Sequence, residues 1–77
     1  MAGNIEQMLK ANEKLSGQRT SCAIKREALI SLFGSAVLDN DGILVAKYRE
    51  ELANLDEQML DIVQAQMTNV RLMTSFD

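Results

Sequence analysis

Apolar residues recur at spacings of three and four along most of this chain. From Val45 the series runs through Tyr48, Leu52, Leu55, Met59 and Ile62, then Val63, Met67, Val70 and Met73. That period places the series along one side of an α-helix. Leu, Ala, Glu, Gln, Met and Lys dominate the segment, all good helix formers, and no Gly or Pro follows Gly42. The first half reads similarly. Met8, Leu15, Cys22, Leu29 and Ala36 recur at heptad spacing, with Ile5 and Phe33 on the same face. Asn4 and Gln7 form a capping-box pattern that would open this helix. Gly17 interrupts it, at a cost of about 1 kcal/mol relative to Ala. A break near Gly17, with a restart at Thr20 or Ser21, is the alternative to one continuous first helix.

The strongest punctuation is Asp39, Asn40, Asp41 and Gly42. These residues bond local backbone, cap helices or accept a positive φ. The expected architecture is therefore all-α: an antiparallel two-helix hairpin, coiled-coil-like, in a single domain spanning residues 1–77. Its helices cover about 4–38 and about 43–74, with the turn at 39–42. Folding about Asn40 and Asp41 makes facing positions sum to 81. Ala36 then meets Val45, Phe33 meets Tyr48, Leu29 meets Leu52, Cys22 meets Met59, Met8 meets Met73 and Ile5 meets Phe76. Both heptad series stay in phase throughout. Polar pairs fall in the same register. Asn12 faces Asn69, Leu15 faces Gln66, Arg19 faces Ile62 and Arg26 faces Leu55. The Asn12–Asn69 layer is expected to fix register, and Arg19 and Arg26 to reach Glu51, Asp56 or a neighbour's carboxylate along the seam.

Such a hairpin buries each helix on one side only. With 77 residues, one Cys and no His, neither disulfides nor the usual zinc ligands can supplement the core. Oligomerisation, or a helical protein partner, is expected to complete a bundle. Ile24, Ile30, Leu32, Val37, Ile43, Leu44, Leu60 and Leu72 lie off the main stripe and form a second apolar surface. The expected interface residues are Leu52, Leu55, Met59, Ile62, Val63, Met67 and Val70.

The formal net charge is −3, with +2 up to Gly34 and −5 from Ser35 onward. This asymmetry suggests that the two halves lie against each other. It disfavours nucleic acid as a partner, although Lys10, Lys14, Lys25 and Arg26 mark a possible basic patch. No basic region followed by an apolar stretch opens the chain, and the longest uncharged run, Ala28 to Leu38, is about half a bilayer span. The expectation is a cytoplasmic protein with no membrane insertion, its lone Cys22 suited to a reducing compartment.

Catalytic and metal chemistry find little support. A calcium loop with Gly42 at its sixth position would put Val37 first and Tyr48 twelfth, where carboxylates are required. The acidic residues Glu50, Glu51, Asp56, Glu57 and Asp61 have no His to complete a di-metal set. Cys22 has no base beside it in the sequence pattern. The expected function is a non-enzymatic protein–protein interaction module without cofactors: an assembly adaptor, small chaperone or structural subunit. A small dimeric helical-bundle regulator of RNA or DNA is a rival.

Two stretches, Asp41 to Leu52 and Ala65 to Met73, resemble the second helix of type III secretion needle and inner-rod subunits. The likeness rests on Leu44, Ala46, Tyr48, Leu52, Ala65, Gln66 and Val70. The proline common at that family's turn is replaced here by Asp41 and Gly42. The resemblance implies a short helical hairpin that polymerises into a hollow filament, or a chaperone of such a subunit.

Overall fold

The computed structural model describes the backbone of residues 2–75 and the side chains of 5–75. Two helices account for nearly all of it: α1, Ala2–Leu38, and α2, Gly42–Thr74. They pack antiparallel as a rod of 57 × 15 × 12 Å.

Three residues make the reversal. Asn40 adopts the left-handed conformation, φ 56. Its N–H donates to the Val37 carbonyl at 3.1 Å, and the Asp41 N–H donates to the Ala36 carbonyl at 3.0 Å. This pair of bonds is a Schellman C-cap, which satisfies carbonyls that the end of α1 would otherwise leave open. Asp41 then serves the next helix. Its carboxylate accepts from the Leu44 N–H at 3.1 Å, an N-cap on α2.

α1 runs unbroken through Gly17, so the roughly 1 kcal/mol propensity cost of Gly is borne within the helix, and an added Cβ there would meet nothing within 4 Å. It also begins at Ala2, two residues before the expected start. Asn4 therefore stands inside the helix and does not cap it. Helix ends shift by a residue or two at little cost, and Ala favours extension.

The register is the one the facing layers require. The Asn69 amide donates to the Asn12 side-chain oxygen at 2.9 Å. Gln66 departs slightly from its expected place opposite Leu15. Its amide donates to the Ser16 hydroxyl at 2.9 Å and to the Asn12 carbonyl at 3.4 Å, polar partners that an apolar side chain cannot offer. The Ile5–Phe76 layer lies outside the described residues.

The seam is thin. Among the described residues only Cys22, Ala36 and Leu55 are buried, and no side chain of these is fully enclosed. The chain exposes 5802 Å², whereas a compact protein of 8.6 kDa exposes about 4,700 Å². Its radius of gyration is 17.4 Å, against about 11.5 Å for a compact domain of this length.

Candidate interaction surface

The seven expected interface residues divide into two groups. Leu52, Leu55, Met59 and Ile62 occupy seam positions and pack against α1, with Leu55 only 8% exposed. They hold the hairpin together. Val63, Met67 and Val70 lie to one side of that seam, with Met67 51% and Val70 49% exposed. The two groups part at Val63, because the next seam positions of α2 are the polar Gln66 and Asn69, which pair with Ser16 and Asn12. The apolar series leaves the seam there and continues on the flank.

Leu60 belongs with the second group. Leu60, Val63, Met67 and Val70 step along α2 at spacings of three, four and three, which stacks them in one row. A shallow depression of about 330 Å³ runs beside it, lined by Arg19, Val63, Gln66, Met67, Val70 and Arg71. Two guanidinium groups thus border an apolar floor. Across the seam on the same flank, α1 contributes Leu9, Ala23 and Ile30, with Leu9 and Ile30 about half exposed. Other residues of the expected second surface, Ile24, Leu32, Val37, Ile43 and Leu72, are also exposed, whereas Leu44 is half-buried at the turn.

The opposite flank is more polar. Its depression is lined by Lys25, Glu51, Asn54 and Gln58 over Ala28, Leu29 and Leu55. Cys22 approaches Gln58 at 3.9 Å, a weak contact.

The four residues of the possible basic patch are spread along α1 from Lys10 to Arg26. Lys10 lies 3.9 Å from Glu6, and Arg26 donates to Asp56 at 2.8 Å across the seam. Lys25 stands among the polar residues of the opposite flank. The hairpin also redistributes the charge. In the half-rod distant from the turn, Lys10, Lys14, Arg19 and Arg71 outweigh Glu6 and Glu13, for a net +2 among the described residues and +1 with Asp77 counted. In the half containing the turn, four cations meet eight carboxylates between Thr20 and Asp61, for a net −4. Charge therefore alternates along the rod axis as well as along the sequence.

No group of His, Cys, Asp and Glu among the described residues is arranged to hold a metal ion. No helix among them is long and apolar enough to cross a membrane. Comparison with protein-family models, with curated proteins and with solved structures finds no match, so the surface must be read from its own chemistry.

Proposed function

We propose that this chain is a non-enzymatic protein–protein interaction module, an assembly adaptor, small chaperone or structural subunit, that works through the apolar flank of α2. One observation carries the reading: Leu60, Met67 and Val70 are exposed and, with the half-buried Val63 between them, form a row that the hairpin itself leaves largely open. Covering such side chains contributes up to about 1.5–3 kcal/mol each, which favours a protein surface over water. The bordering Arg19 and Arg71 suit a helix that carries carboxylates beside its own apolar stripe. The adaptable Met67 side chain suits packing against a second helix.

Met67→Glu tests this directly, since the side chain is outside the seam. Circular dichroism is expected to stay unchanged while association weakens at least tenfold, measured by light scattering alone and by capture from lysate of the source organism. Equal association by wild type and variant would exclude this flank.

A further inference from the structure

The open flank identifies its own complement. The hairpin exposes about 1,100 Å² more than a compact protein of its mass, and one partner in a standard interface buries about 800 Å². A second rod of the same size would therefore remove most of the excess. Among the described residues the two half-rods carry net charges of +2 and −4, the former +1 with Asp77 counted, so two acidic halves repel and opposite ends attract. Resting on the reading of the α2 flank as a docking surface, we propose that its occupant is the same flank of a second copy, inverted end for end, in a closed four-helix bundle.

A twofold axis through the middle of the rod makes this pairing self-complementary. Leu60 lies near that axis and packs against its symmetry mate. Val63, Met67 and Val70 of one copy lie along Ala23, Ile30 and Ala53 of the second copy, large side chains against a row that includes two alanines. The positive half of each rod runs beside the negative half of the other. A parallel pair would cover the same apolar row but stack the two −4 halves together.

The orientation can be measured with spin labels in a Cys22→Ala background, at Asp39→Cys and, independently, at exposed Ser35→Cys. Two sites guard against a perturbed cap at the turn. The inverted pair places the two labels about 40–55 Å apart, with twice the monomer mass by sedimentation. Raising the salt from about 50 mM to about 500 mM is expected to loosen the pair several-fold, because the charges that set its direction are exposed. A dimer whose labels lie about 20–30 Å apart, two to three interhelical spacings, is parallel; it overturns the inversion and leaves the docking flank intact. An open polymer overturns the closed pair. A monomer at millimolar concentration overturns self-pairing. If Met67→Glu then also leaves every other association unchanged, the docking flank itself fails with it.

Discussion

Asn40 carries the reversal through a backbone conformation that few residues accept. A left-handed φ costs most L-residues about 1–2 kcal/mol, whereas Asn and Gly adopt it readily. Asn40→Val is therefore expected to lower stability by about that amount, and Asn40→Gly to leave it nearly unchanged, in paired thermal melts. Gly17 presents the opposite case. Its backbone is helical and an added Cβ meets open space, so Gly17→Ala is expected to raise stability by about 0.5–1 kcal/mol in the same measurement. A loss on Gly17→Ala would mean that this face is covered by something in solution. The Arg26–Asp56 pair contributes less than its 2.8 Å separation suggests. Both side chains are about half exposed, and such pairs are worth about 0–1 kcal/mol.

Within the elements, the pivot and the register were readable from the sequence because two independent patterns agree. The Asp39–Gly42 cluster marks one turn, and folding there brings both heptad series, and Asn12 with Asn69, into common layers. The division of α2 into seam and flank was less readable. Its ten apolar residues form a continuous run at helical spacing, and a run of that width does not itself say which side faces α1. The polar seam positions Gln66 and Asn69 decide it, since their hydrogen bonds to α1 draw them inward and leave Met67 and Val70 outside, with Val63 half-buried at the margin. This layer exchanges stability for alignment, as polar residues do at seam positions of coiled coils. Replacing both residues, Asn12→Leu with Asn69→Leu, is expected to raise the melting temperature. Asn12→Ala alone is expected to cost about 0.5–1.5 kcal/mol by leaving Asn69 without its partner. Leu55→Ala acts on the same seam. It removes one of three buried side chains and is expected to cost about 2–5 kcal/mol, melting the hairpin and not merely its assembly. Loss of association with full helicity in Leu55→Ala would contradict that assignment.

At the scale of the whole molecule, the hairpin withdraws just over half of the surface of its extended chain, less than the roughly 60% typical of a 60-residue domain. Burial of about 800 Å² more, the share of one partner in a standard interface, brings it to that level. The sequence announced an acidic half and a basic half, and the fold does bring α1 beside α2. It could not announce the alternation along the rod, because that depends on where the pivot cuts each helix: Lys47 and Arg49 join the acidic turn end, and Arg71 joins the basic end. The central claim is that this rod works with its α2 flank covered. Sedimentation equilibrium of the unmodified chain, from micromolar to millimolar concentration, addresses that claim most directly. A mass rising to twice 8.6 kDa, with Met67→Glu remaining at 8.6 kDa, is the predicted result. A folded wild-type chain that stays monomeric throughout, and binds no other protein through this flank, would contradict it.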